Sequence, residues 1–165
     1  MNKYDSTQDT TAHIVMVGRN IDILMREWRK RKMYHDQSKL HEPEKIIFDE
    51  VTPKLKSLTY GSPEYKLALE KMGPALDHHY RGNRHHPEHF AKGIRGMTLV
   101  DLVEMFADWM AATQRHADGD AMKSIEHNEK RFETGPVLRA IFENTVRELY
   151  PELLEKEKGG NKKDG

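Results

Sequence analysis

Histidines and aspartates are spread over the first two thirds of this chain, and they are its residue types best suited to chemistry. The chain has 165 residues, with ten histidines and no cysteine. Imidazole and carboxylate groups together bind borderline and hard divalent metals, so a scattered set of both predicts one metal site that several helices assemble. The candidates are His13, the doublet His35-Asp36, the pairs His78-His79 and His85-His86, and Asp108. The first hypothesis is therefore a metalloenzyme.

The composition limits the kind of protein that can carry such a site. Hydrophobic residues make up 36% of the chain and charged residues 33%, which predicts one core under a strongly solvated surface. We expect a single domain over residues 1–154 and a disordered charged tail over residues 155–165. Lys+Arg and Asp+Glu are balanced at 27 each, so the molecule lacks the positive field that generic nucleic-acid binding requires. No signal peptide and no membrane span are indicated, and the expected location is the cytoplasm.

The elements that must position these residues are predicted to be helices. Apolar residues follow a helical period almost throughout, which predicts an all-α fold, a compact bundle of about six to seven helices. A first helix over residues 10–31 carries an apolar stripe that His13 continues, so we expect His13 to be buried. A second helix is expected over residues 43–58. A third begins at Pro63, and His79, rather than His78, continues its buried face.

The second half of the chain has clear helix boundaries. The turn over residues 81–84 is expected to end the third helix, because Gly and Asn accept the left-handed backbone of a C-cap. Thr98 and Asp101 are spaced as a capping box at the start of the next helix. Asp108 lies on the flank of that helix's apolar face. Two more helices are expected over residues 120–133 and 137–154, separated by Gly135-Pro136.

The order of these residues resembles the HD-domain superfamily of metal-dependent phosphohydrolases, helical proteins named for a His-Asp doublet. His35-Asp36 followed by Lys39 is similar to the HD-x-x-K pattern of many members, and Ala107-Asp108-Trp109 looks like the helix that supplies the last aspartate. The resemblance covers residues 10–115. A narrower likeness, carried by residues 35–40, 85–89 and 118–120, is to an uncharacterised HD-like family seen often in phage genomes. It implies the host cytoplasm if the protein is phage-encoded.

The resemblance implies a metal-ligand set. In HD proteins the first histidine, the doublet and the last aspartate bind one metal, and two further histidines hold a second metal that the doublet's aspartate bridges. The implied ligands here are His13, His35, Asp36 and Asp108 for the first site, and His79 and His86 for the second. The implied cofactor is one or two divalent ions among Mn, Fe, Co, Mg, Ni and Zn. The choice between His85 and His86 stays open.

The implied reaction is hydrolysis of a small phosphate ester, with a nucleotide as the expected substrate. Two cations about 3.5–4 Å apart can clamp a phosphoryl oxygen and generate hydroxide from a bridging water. Asp36 and Lys39 are the catalytic candidates. The substrate-binding candidates, chosen by proximity in sequence, are Lys39, Arg81, Arg84 and His85.

Each of these residues also has an ordinary structural interpretation. A histidine on an apolar stripe, such as His13, is more often a hydrogen-bonded core residue than a ligand. Asp36 alone could cap a helix, and Lys39 could be solvated. Asp101 has a structural role in the predicted cap, and Glu104 could orient a ligand instead of binding the metal. The basic cluster over residues 26–32 suits a solvated helix C-terminus.

Two other functions are compatible with the same residues. Some HD-like proteins with four histidines and two aspartates hold two irons and activate oxygen on a small substrate. A non-catalytic, metal-stabilised module that binds a nucleotide or a protein is the other alternative. We expect no bulk nucleic acid and no membrane as partner, and a homo-oligomer stays open. Replacing Asp36 with Ala is expected to abolish metal binding while leaving a helical protein.

Overall fold

The computed structural model describes residues 4–58, 63–115 and 119–154, apart from the side chains of residues 56, 57 and 65. In these ranges the chain forms six α-helices and no strand, so the all-α prediction is confirmed. The α-helices are α1 (Thr7–Tyr34), α2 (Glu44–Ser57), α3 (Pro63–Gly82), α4 (Leu99–Gln114), α5 (Ala121–Phe132) and α6 (Gly135–Leu149). The predicted tail over residues 155–165 lies outside the described residues.

The chain divides into two compact units, one that ends at Gln37 and one that begins at Ser38. The first unit contains α1, and the second contains the other five α-helices. The expectation of a single domain stays a prediction. Among the described residues, every helix is too short or too polar to cross a membrane.

The helix α1 runs uninterrupted for 28 residues, and none of them is buried. The prediction that His13 is buried is therefore wrong: its side chain is exposed, and so are those of Val17 at 41% and Ile21 at 50%. The reason is that α1 is the only α-helix in residues 4–37, the described part of its unit, so no second helix there covers the apolar stripe.

The main core of the second unit lies between α4, α5 and α6. Phe106 of α4 stacks on Phe142 of α6 with ring centroids 5.1 Å apart, and the Trp109 ring meets Phe142 edge-on at 5.5 Å. Ile125 of α5 belongs to the same cluster and is 1% exposed. A smaller cluster joins α2 and α3 through Val51 and Ala68. Burying these side chains supplies the hydrophobic driving force that holds the helices in place.

Local signals set the helix ends of the second unit. Thr98 caps α4 by accepting the Asp101 N–H, while the Asp101 carboxylate accepts the Thr98 N–H, so the predicted capping box is confirmed. α3 ends at Gly82, as predicted. The last helix differs from its prediction, because Gly135, with φ 80°, already belongs to α6. α6 then stops at Leu149, two residues before Pro151, which cannot continue a helix.

Candidate metal centre

The doublet His35-Asp36 lies where α1 ends. His35 is the C-cap and leaves the helix with φ −52° and ψ 125°, while its N–H still donates to the Arg31 carbonyl at 2.8 Å. Asp36 has φ 56°, in the left-handed region that Asp accepts more readily than most residues. Such a backbone costs about 1–3 kcal/mol, and residues held in it cluster at functional sites. The His35 Nε2 lies 3.7 Å from the Asp36 Oδ2, so this turn presents an imidazole beside a carboxylate.

His79 and Glu44 form a buried pair in the second unit. His79 lies in the last turn of α3 at 1% exposure, and Glu44 begins α2 at 0% exposure. The Glu44 Oε2 is 2.9 Å from the His79 Nδ1, and its Oε1 is 2.7 Å from the Nδ1 of His78. The Ser38 hydroxyl donates to the same Oε2 at 3.0 Å. One carboxylate thus joins the start of α2 to the end of α3.

These contacts fix the ring orientation of His79. Burial raises the pKa of Glu44, but hydrogen bonds from His78, Ser38 and His79 outweigh burial and hold that pKa below its usual range. The carboxylate is therefore ionised and can only accept, so the proton of His79 lies on Nδ1. Nε2 then points away from Glu44, as in a histidine that a carboxylate orients toward a metal.

The short segment after α3, residues 84–86, interacts with three acidic residues of α4. Arg84 donates to both carboxylate oxygens of Asp101, at 3.1 and 2.9 Å. The Nδ1 of His85 lies 3.4 Å from the Glu104 Oε1, and the charge of Asp108 acts on His86. Since the three acids of α4 are three and four residues apart, they share one helix face. Arg84 and His85 thus contact successive acids on that face, and the charge of the third acid acts on His86.

This segment brings three imidazoles together. His79, His85 and His86 each offer one ring nitrogen, and the three nitrogens lie within 4.8 Å of one another. The Nε2 atoms of His79 and His86 are 3.0 Å apart. Burial, followed by the neighbouring His85 and His79, lowers the pKa of His86 to about 3. His86 is therefore neutral at pH 7, which is the form that binds metals.

The donor set fits a divalent metal. Nitrogen ligands about 2.1 Å from one ion lie about 3.0 Å apart when they are at right angles, as in six-coordination, and about 3.4 Å apart in a tetrahedron. The separation of the His79 and His86 nitrogens matches the first value. Imidazoles flanked by carboxylates suit Zn, Mn, Fe, Co and Ni better than Ca. The described residues therefore contain a His/Asp/Glu cluster that could hold a metal ion.

His13 is not brought together with His35 inside one chain. The two residues are 22 positions apart on α1 and its C-cap, and a continuous helix rises 1.5 Å per residue. The distance along the helix is therefore about 33 Å. The expectation that both residues bind one ion is not met within a single copy.

The predicted substrate-binding residues differ in their surroundings. The Lys39 ammonium lies 5.5 Å from the centre of the Phe48 ring, and its charge acts on His86, so it is close to the histidine cluster. Arg81 is exposed near the end of α3. The nitrogens that Arg84 would use for a bidentate phosphate contact already bind Asp101, so the prediction for Arg84 is not supported. His85 is buried at 1% exposure, among the candidate ligands and not at a surface that substrate can reach.

Glu44 is the residue that the sequence interpretation missed. Its position eight residues after the doublet was assigned only to the start of a helix. An acid in the first turn of a helix is favoured by the helix dipole alone, so this position gave no sign of a contact with α3. The suggested role of Glu104 as a partner of a histidine agrees with its contact to His85. The buried position of His79, compared with 46% exposure for the His78 side chain, confirms that His79 continues the buried face of α3; its role as a ligand stays a prediction.

Comparison with known proteins places the chain in a family but gives it no activity. No curated protein and no solved structure matches the chain significantly. One family model matches residues 2–148, which include α1, the doublet and the whole histidine cluster. The chain therefore belongs to the family of unknown function DUF5662.

Proposed function

We propose that this protein is a metal-dependent phosphohydrolase of the HD type that acts on a small phosphate ester, with a nucleotide as the expected substrate. The observation that carries the proposal is the meeting of His79 and His86 nitrogens 3.0 Å apart, next to a third imidazole. Imidazole nitrogens that converge on one point are the donors that such a divalent metal prefers. When bound, the metal would supply a water of lowered pKa and would polarise a phosphoryl oxygen.

The ligand set combines this cluster with residues assigned by the HD resemblance. His79 and His86 come from the cluster, and His35, Asp36 and Asp108 come from the resemblance. The charge of Asp108 already acts on His86, which supports its inclusion. Glu44 keeps the proton of His79 on Nδ1 and so keeps Nε2 available.

The chain's own cations are suited to hold a phosphate. The positive charge of Lys39 acts on His86, and its ammonium lies over the Phe48 ring. An ammonium in that position can bind a phosphoryl oxygen as a point charge, while the exposed Arg81 can supply a second contact. The balance of 27 basic and 27 acidic residues favours a small substrate over a nucleic acid, because no extended positive surface would bind many phosphates.

The test is a phosphate-release screen over nucleoside mono-, di- and triphosphates and cyclic nucleotides, with Mn, Co, Mg and Zn supplied in turn. We expect release that depends on the metal and is lost in Asp36→Ala and His86→Ala, but kept in the exposed control His127→Ala. Two irons per chain with oxygen consumption would indicate an oxygenase instead. Tight binding of a nucleotide that is recovered unchanged would indicate a binding module.

The role of Lys39 is tested separately. In Lys39→Ala we expect kcat/KM to fall about 10- to 100-fold, since a charge-assisted hydrogen bond contributes about 1.5–3 kcal/mol. Metal content is expected to stay unchanged. Lys45→Ala is the matched control, because Lys45 is an exposed lysine that pairs with Asp49 on α2. An equal loss in both variants would contradict a specific role for Lys39.

A further inference from the structure

Two polar residues, Ser38 and Asn83, meet at the Nδ1 atom of His79. The Ser38 hydroxyl oxygen lies 3.1 Å from that nitrogen and 3.0 Å from the Glu44 Oε2. The side-chain nitrogen of Asn83 lies 2.9 Å from the Ser38 oxygen and 3.0 Å from the same ring nitrogen. Both residues are half-buried. They are 45 positions apart in the sequence, so the fold and not the local helix brings them together.

The chemistry of these groups decides which of them donates. The Asn83 Nδ2 lies 2.8 Å from the His79 backbone carbonyl, which only accepts, so this atom is the amide nitrogen and donates. One of its two protons is used there, and the other can go to the Ser38 oxygen or to the His79 Nδ1. The single proton of the Ser38 hydroxyl goes to the ionised Glu44, which leaves its lone pairs to accept from Asn83.

His79 has two neutral tautomers, and both have hydrogen-bond partners. With the proton on Nδ1, His79 donates to Glu44 at 2.9 Å, and Nε2 is available to a metal. With the proton on Nε2, His79 donates to the His86 Nε2 at 3.0 Å, and Nδ1 accepts from Asn83. The second tautomer directs a proton to the side from which a metal would bind. Asn83 therefore favours the tautomer that excludes the metal, unless its N–H has another acceptor.

We propose that Ser38 is a positioning residue that selects the metal-binding tautomer of His79 by accepting the N–H of Asn83. Its own proton also holds the Glu44 carboxylate in place. Asn83 has a separate structural role at the end of α3, since its backbone N–H and its side chain both donate to the His79 carbonyl, at 2.9 and 2.8 Å. This inference rests on the metal site of the proposed function, because the tautomer matters when Nε2 binds an ion.

A double-mutant cycle on Ser38 and Asn83 tests the inference, with the Zn²⁺ affinity of the full chain measured by isothermal titration calorimetry. We expect Ser38→Ala to lower the affinity about 10-fold, because the Asn83 N–H then turns to Nδ1 of His79. Asn83→Ala is expected to stay within about twofold of the native affinity, since Glu44 still holds the proton of His79. The double variant should match Asn83→Ala, so that removing Asn83 restores the affinity that Ser38→Ala loses.

A role of Ser38 in packing, or in holding Glu44 alone, predicts a different result. The loss caused by Ser38→Ala would then be the same with and without the Asn83 side chain. Equal losses in the two backgrounds, or no loss in Ser38→Ala, would overturn the inference. Ser124→Ala and Asn128→Ala are the matched controls on α5, because both residues are half-buried and Asn128 likewise donates to the carbonyl four residues earlier, at 3.0 Å. Neither control should change the affinity.

Nitrogen-15 NMR of the histidine side chains gives a second readout that a purely structural role would not change. In the metal-free native protein the proton of His79 is expected on Nδ1, and in Ser38→Ala on Nε2, with the signals identified by their loss in His79→Gln. A proton that stays on Nδ1 in Ser38→Ala would overturn the inference. If the cycle behaves as expected but no phosphate ester is hydrolysed, the proposed function fails and the inference stands. Hydrolysis combined with equal losses in the two backgrounds would have the opposite meaning.

Discussion

At the scale of single residues, Glu44 is the group that organises the histidine cluster. Its carboxylate is fully buried and contacts His78, His79 and the Ser38 hydroxyl at 2.7–3.0 Å. A carboxylate that accepts from one ring nitrogen of a histidine fixes the ring's orientation and strengthens the other nitrogen as a ligand. Glu44 is therefore a positioning residue for His79.

The change Glu44→Gln is expected to lower the affinity for Zn²⁺ or Mn²⁺ about 10- to 100-fold, the usual effect of losing such a partner. The reason is that a neutral amide no longer holds the His79 proton on Nδ1. Isothermal titration calorimetry measures the affinity. Glu42→Gln is the control, since Glu42 is an exposed glutamate two residues away. Equal affinities in Glu44→Gln and the native protein would show that Glu44 only fills space.

The sequence predicted His79 but not Glu44, and the difference has a physical cause. The burial of His79 follows from helical periodicity, which is a local property that α3 carries by itself. The role of Glu44 depends on which ends of α2 and α3 meet, and no periodic signal specifies that pairing. The 22-residue spacing of His13 and His35 was similarly ambiguous, because it suits either two helices joined by a turn or one unbroken helix.

At the scale of elements, the start of α4 is held to the segment before it by one buried carboxylate. Asp101 is 0% exposed. Its carboxylate accepts hydrogen bonds from two guanidinium nitrogens of Arg84 and completes the capping box with Thr98. Burial raises the pKa of Asp101, but the hydrogen bonds from Arg84 and Thr98 outweigh burial and hold it below its usual value of 3.8. The ionised form therefore stabilises the folded state.

Replacing Asp101 with Asn is expected to reduce the free energy of unfolding by about 3 kcal/mol at pH 7, because the change removes the buried partner of Arg84 and weakens the cap. The folded-state pKa lies below the unfolded value, so this contribution is present above pH 3.8 and is lost as the pH falls below it. Urea unfolding of both proteins from pH 7 to pH 3 measures the difference. A difference that does not shrink in acid would contradict the assignment. Asp49→Asn, at an exposed carboxylate, is the control.

At the scale of the whole molecule, the candidate ligands come from parts of the chain that are distant in sequence. His79 lies in the last turn of α3, His86 follows that helix, and Asp108 lies on α4, while Glu44 at the start of α2 contacts His79. A metal bound to the folded state alone adds to its stability through mass action. Binding is therefore expected to stabilise the folded protein as a unit.

Metal at 100 times its dissociation constant should raise the free energy of unfolding by about 2.7 kcal/mol. Chelation with EDTA should reverse the gain, and His86→Ala should show no gain. Urea denaturation with and without Mn²⁺ or Zn²⁺ measures the effect. An equal gain in His86→Ala would mean that the metal binds elsewhere.

The match between the segment 84–86 and α4 also has a consequence for the length of this connection. Surface connections between helices ordinarily accept insertions and deletions, since few of their side chains have fixed partners. Here Arg84 binds Asp101, His85 lies 3.4 Å from Glu104, and the charge of Asp108 acts on His86; the three acids span about 10 Å of α4. Removing a residue between Arg84 and His86 would shift the histidines relative to these acids. The length of this segment sets where its histidines lie along α4, so the number of its residues matters to the site as much as the identity of its histidines.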